Sequence, residues 1–165
     1  MTPAAGLTVV GIGEVITSND PHDTIITYAL GSCLGVVIYD PVARVGGMLH
    51  AMLPEASLSP ERAAVEPGRF VDTGVPHLFR ACYRLGASKD RLILKVAGGA
   101  ALRRDDESDP FQIGKRNMVM LRKLLWKNGV LIRGEDVGGQ ASRTLSLRLD
   151  TGDVRVKSHG VEREL

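Results

Sequence analysis

Aromatic side chains are scarce: Phe, Trp and Tyr together make up 4% of the 165 residues. A core in this chain must therefore be assembled from Val, Leu, Ile, Ala and Met. Charge of one sign is scarce too. Twenty-one Lys and Arg face nineteen Asp and Glu, a formal net charge of +2. That balance excludes the dense basic surface that nucleic acid or an anionic membrane calls for. The Arg122-Lys123 pair sits among leucines and reads as a solvated helix face. No apolar run approaches the roughly 20 residues of a membrane span. The first residues lack the basic head and apolar block of a secretory signal, so membrane insertion is not expected. Two cysteines are no disulfide framework. Both thiols are expected reduced, and the cytoplasm is the expected compartment.

Cofactor and metal signatures are also missing. Gly11-Ile12-Gly13 lacks the third glycine of a dinucleotide fingerprint, and Gly114-Lys115 lacks both P-loop spacing and a following Ser or Thr. Cys33 and Cys82 are too far apart for a zinc motif. The acidic Asp105, Asp106, Glu107 and Asp109 do not follow a calcium-loop pattern. No cofactor and no metal are expected.

What the chain does have is glycine, nineteen of them, and 44% hydrophobic residues. Its length suits one domain over residues 1–165 with a single sizeable core. The first half reads as strands: Leu7 to Ile16, interrupted by Gly11 and Gly13, then Thr24 to Leu30, Gly35 to Tyr39, and Gly47 to Leu53. Residues 55–68 read as an exposed connection with a turn of helix. From Asp72 the period changes: Val75, Leu78, Phe79, Cys82 and Leu85 recur at helical spacing, and Gly86 supplies a cap. Arg91 to Val96 is a further strand, followed by a polar surface loop to Gln112. Ile113 begins a second helix with Met118, Leu121, Leu124 and Leu125 on its apolar side, ended by Gly129. Val130 to Val137 returns to strand, and Thr144 to Val156 is a hairpin about Asp150-Thr151-Gly152-Asp153. Strands in runs, with two main helices, favour an α+β fold with mostly antiparallel neighbours.

Two residues stand apart chemically. Cys33 lies in Leu30-Gly31-Ser32-Cys33-Leu34-Gly35, where a strand gives way to a tight turn. There a thiol can project from a sheet edge, with free backbone N–H groups close by to stabilise negative charge. The competing reading is a small buried hydrophobe, which is how Cys82 reads on its helix stripe. His50 lies in Gly47-Met48-Leu49-His50-Ala51-Met52-Leu53, where alternation puts it on one face with Met48 and Met52. It is either a core histidine bonded to a carbonyl or a base held for a thiol. His22, His77 and His159 have no such frame. A Cys–His pair needs a third group to orient the ring. Thr27, on the strand leading to Cys33, and Asp40, in the turn before Pro41, both qualify from the residues, with Thr27 the better placed.

Taken together, Leu30-Gly31-Ser32-Cys33, the run from Gly47 to Pro54, Gly98-Gly99-Ala100, Ile113-Gly114-Lys115-Arg116-Asn117, and Asp136-Val137-Gly138-Gly139 with Arg143 resemble the CheD family of chemoreceptor glutamine deamidases. The resemblance runs from about Leu7 to Lys157. Ser142 departs from it, standing where the family is expected to carry glycine. The resemblance implies a layered α/β sandwich similar to toxin-type glutamine deamidases, with a Cys33, His50 and Thr27 triad. It implies hydrolysis of glutamine side-chain amides on chemoreceptor helices. Some members of the family also act on receptor methyl esters, and some bind the chemotaxis phosphatase CheC. Two other readings remain open at this point: a non-catalytic chemotaxis adaptor, and a different small thiol amidase.

Overall fold

The computed structural model describes residues 6–101 and 109–165. The acidic positions Asp105, Asp106 and Glu107 fall outside them. Ten strands and three α-helices are formed among the described residues: β1 (Gly6–Val9), β2 (Val15–Ser18), β3 (Asp23–Leu30), β4 (Leu34–Asp40), β5 (Val45–Ala51), α1 (Pro60–Val65), α2 (Val71–Arg84), β6 (Ile93–Gly98), α3 (Ile113–Lys127), β7 (Ile132–Val137), β8 (Arg143–Arg148), β9 (Val154–Ser158) and β10 (Val161–Glu164). They make two five-stranded sheets, ordered β1-β3-β8-β9-β10 and β2-β5-β4-β6-β7. Neighbours are antiparallel except for β1 with β3 and β6 with β7. This is the expected α+β class, with two sheets and helices on one side.

Two apolar layers hold it together. Ile25, Leu30, Val37, Met48, Leu145, Leu147 and Val156 fill the space between the sheets. Leu34, Val36, Ile38, Leu49 and Ala51 point the other way, toward Val75, Leu78 and Cys82 of α2 and Met118, Leu121 and Leu125 of α3. Every residue of β4 and β5 is buried, which is why they read in sequence as continuous apolar runs rather than alternating ones. A side chain such as Leu78, fully buried here, contributes about 1.5–3 kcal/mol by its removal from water. Among the described residues no helix is long and apolar enough to cross a membrane.

Three expectations need correction, and one strand was not anticipated. The segment from Leu7 to Ile16 is two strands, not one. Val10 N–H still donates to β3 at Ile26, but Gly13 (φ +81°) turns the chain, and β2 then pairs with β5 in the other sheet. The C-terminal tail is a strand: β10 folds back on β9 through left-handed His159 and Gly160. Leu85 ends the helical stripe in sequence but is 37% exposed, because α2 stops at Arg84 and the chain swings away at Gly86. In the segment expected to be a polar surface loop, Asp109 is buried.

Candidate active site

The two sheets each supply part of the site. β3 carries Ile25 and Thr27 inward, and both are fully buried. β5 sends Leu49 and Ala51 to the helices and Met48 to the space between the sheets; His50, on the same alternation as Met48, is 2% exposed. Thr27 and His50 meet there: Thr27 Oγ1 lies 2.7 Å from His50 Nδ1. The threonine hydroxyl donates its single proton to the Val10 carbonyl at 2.7 Å. Its oxygen is therefore the acceptor toward the ring, and Nδ1 carries the imidazole proton. The Val10 carbonyl is available because the turn at Gly13 ends β1 there. The same turn returns to β5, with Gly13 N–H donating to the His50 carbonyl and His50 N–H to Glu14 O. His50 Nε2, left unprotonated by this arrangement, is buried and makes no hydrogen bond among the described residues.

Cys33 immediately precedes β4. In the β4–β5 ladder Gly35 pairs with His50 and Leu34 with Ala51. Alternation then puts Cys33 on the face of His50, one step beyond the end of the ladder. It is half-buried against the inter-sheet layer. No hydrogen bond joins its thiol to the imidazole in this resting arrangement; such bonds commonly tighten only when substrate is bound.

The loop carrying Cys33 is held by three successive carbonyls. Gly31 O accepts from Ala100 N–H and Cys33 O from Gly99 N–H, both at 2.9 Å. Ser32 O accepts from Asn117 Nδ2 at 3.0 Å. Gly98 (φ +113°) allows this close approach, since a Cβ there would overlap the Cys33 carbonyl oxygen. Arg143 buttresses Gly98 from behind: it is buried, pairs with Asp136 at 3.1 Å, and donates to the carbonyls of Gly98, Ala141 and Gly138. Ser142 is exposed and not left-handed; the left-handed positions of that turn are Gly138 and Gly139. Serine is thus compatible with the backbone where glycine was expected.

Burial dominates the site's electrostatics. It pushes the Cys33 thiol up, opposed by its own backbone N–H and by the positive charge of Arg69. It pushes His50 down. Both groups therefore rest neutral near pH 7, with an imidazole able to accept a proton. Cys82, by contrast, is pushed up to about 12 by burial alone and has no role at the site. Asp40, the alternative orienting group, lies at the far end of β4, opposite Val45. Burial raises its carboxyl, but Arg91 and the N–H groups of Ala43, Ser88 and Val42 outweigh that and hold it at about 2. It is a structural anchor.

Sequence reasoning gave no role to Arg69, nor to Asn117, which entered only as the last residue of the Ile113-Gly114-Lys115-Arg116-Asn117 run. Arg69 lies in a short 3-10 turn between α1 and α2, where its carbonyl accepts from Met52 and Leu53 and its side chain pairs with Glu66 at 3.2 Å; no sequence signal marks it. Asn117 had one. With Met118, Leu121 and Leu125 it occupies the apolar stripe of α3, where a polar residue is out of place.

The chain is similar to known proteins along nearly its whole length. The CheD family model, described as CheD chemotactic sensory transduction, matches residues 52–158. A Syntrophus aciditrophicus protein named probable chemoreceptor glutamine deamidase CheD 1 is 52% identical, covering 94% of this chain and 96% of its own. Similarly named proteins of Solibacter usitatus and Pyrococcus abyssi are 45% and 43% identical, covering 95% and 90% of this chain and 92% and 89% of theirs. A Neisseria meningitidis protein of known structure aligns over 84% of this chain and 63% of its own with a TM-score of 0.47 and 10% identity, a likeness too loose to bear on function. With relatives this similar along nearly its whole length, the chain belongs to the CheD family.

Proposed function

We propose that this protein is a protein-glutamine deamidase of chemoreceptors, with Cys33 as nucleophile, His50 as general base and acid, and Thr27 as the group that orients the imidazole. The observation that carries the reading is the Thr27–His50 contact, which leaves a bare, buried Nε2 on the face of a half-exposed thiol. The names of its relatives supply the substrate class.

The chemistry follows from these groups. His50 Nε2 takes the Cys33 proton as the sulfur attacks the carboxamide carbon of a glutamine side chain. A carbon–sulfur bond forms and the carbonyl oxygen becomes an oxyanion. The Cys33 backbone N–H, which has no backbone acceptor among the described residues, is suited to receive it. His50 returns the proton to the nitrogen, the carbon–nitrogen bond breaks and ammonia leaves. Water then attacks the thioester with His50 taking its proton. The carbon–sulfur bond breaks, glutamate is released and the thiol is restored. Arg69 favours the thiolate through its charge.

The substrate is a receptor cytoplasmic helix, the compartment is the cytoplasm, and the whole chain acts as one deamidase domain. The CheC phosphatase is a second partner for the surface around Cys33. Incubation with receptor cytoplasmic fragments, followed by mass spectrometry, tests the reading. Amide-to-acid conversion at particular glutamines is expected. Backbone cleavage would point to a different thiol amidase, and an unaltered receptor would point to an adaptor.

A further inference from the structure

Asn117 lies on α3, away from the strands that carry Cys33, His50 and Thr27, yet none of it is exposed. Its Nδ2 donates to Ser32 O at 3.0 Å and to Met52 O at 3.1 Å. These carbonyls flank the point where the β4–β5 ladder stops, at the Leu34–Ala51 pair. One side-chain amide, with two N–H groups, thus supplies the rung that the backbone lacks. Its Oδ1 is buried with no partner among the described residues. An apolar side chain would pack this stripe without that cost, so the side chain's value lies in what it donates.

The Ser32–Cys33 peptide is trans. In a trans peptide the C=O and the following N–H point in opposite directions. Holding the Ser32 carbonyl toward α3 therefore turns the Cys33 N–H away from α3. Anchoring the Gly31 and Cys33 carbonyls on Ala100 and Gly99 leaves that peptide no freedom to flip. We propose that Asn117 is a positioning residue for deamidation: it fixes the Ser32–Cys33 peptide so that the Cys33 N–H stands ready as the oxyanion donor. The proposal rests on the assignment of Cys33 as nucleophile.

Two reactions of the same thiol separate this role from general support. Deamidation builds an oxyanion; alkylation by iodoacetamide displaces iodide and builds none. In Asn117→Ala, kcat on a receptor fragment is expected to fall about 100-fold with KM little changed, the mark of an interaction made only in the transition state. The rate of Cys33 alkylation across pH is expected to stay within a few-fold of wild type. Leu121→Ala, buried on the same helix, is expected to lower the melting temperature and leave kcat intact. A folded Asn117→Ala with wild-type kcat, or a parallel fall of kcat and alkylation, overturns the proposal. So does an equal loss of kcat in Leu121→Ala. If Asn117→Ala does not fold, Asn117→Leu, of similar size and without donors, carries the same outcomes. Cys33→Ala is assayed alongside. Were it to deamidate, the nucleophile assignment fails; were it inert while Asn117→Ala is normal, only the present inference fails.

Discussion

Thr27 Oγ1 and His50 Nδ1 meet at 2.7 Å across the seam between the two sheets. The threonine belongs to β3 in one sheet and the histidine to β5 in the other. The orienting group and the base are therefore aligned only when the sandwich is closed. Because the hydroxyl proton is committed to Val10 O, the contact selects one tautomer as well as one ring orientation.

Thr27→Val tests that contact at nearly constant shape. It leaves a buried ring N–H and a buried Val10 carbonyl unpaired, costing about 1–3 kcal/mol of stability. The favoured tautomer is lost, and kcat is expected to fall about 10–100-fold with KM little altered. Thr27→Ser, which keeps the hydroxyl, is expected to recover most of the loss. Steady-state kinetics with thermal melts distinguishes the two effects.

Burial lowers the pKa of His50, so its acidic transition lies below the ordinary histidine value of about 6.5. The base form is available above that transition and protonated below it. The acidic limb of kcat/KM is therefore expected to have its midpoint under pH ~6.5, with activity already full at neutrality. A midpoint above pH ~7 would contradict a desolvated base.

Asp40 titrates at about 2, depressed from the unfolded value of about 3.9. A depressed carboxylate contributes stability that is complete above the unfolded pKa and is lost as pH falls through the folded one. The contribution, about 2–3 kcal/mol, is expected to disappear between about pH 4 and pH 2. Asp40→Asn leaves Arg91 without its ion pair and should flatten the stability profile in that window, as followed by denaturant titration. Activity per folded molecule should be unchanged, since Asp40 is at the other end of β4 from Cys33.

Gly98→Ala puts a methyl group onto the Cys33 carbonyl oxygen at a backbone angle that side chains rarely adopt. The loop must give way, with a loss of about 1–3 kcal/mol. Because that carbonyl helps to fix the nucleophile, kcat is expected to drop further than stability alone explains. A thermal melt and an assay at a temperature where the variant is fully folded separate the two.

Much of the site was legible because strands alternate. The period of two put His50 with Met48 and apart from Leu49, and the structure keeps that division between its two apolar layers. The helical period put Cys82 in a core, where it is. Placement on the strand leading to Cys33 favoured Thr27 over Asp40, but local sequence could not exclude Asp40, because that depends on which end of β4 faces the base, a matter of register. Pairing between distant strands was equally hidden. Nothing local shows that Val9 and Val15 belong to different sheets, or that β1 and β3 run parallel. The third strand of the C-terminal meander was missed because β10 is short and exposed, with no buried face to impose a pattern. Asn117 was readable as a polar interruption of a stripe, but its partners are carbonyls, and carbonyls leave no trace in a sequence.

The proposed reaction turns on the Cys33 thiol, and wild type compared with Cys33→Ala on the same receptor fragment by mass spectrometry measures its part directly. Wild type is expected to convert specific glutamines to glutamate. Cys33→Ala, folded and with Cys82 intact, is expected to convert none. Glutamate formation by the variant at the wild-type rate would mean that Cys33 is not the nucleophile.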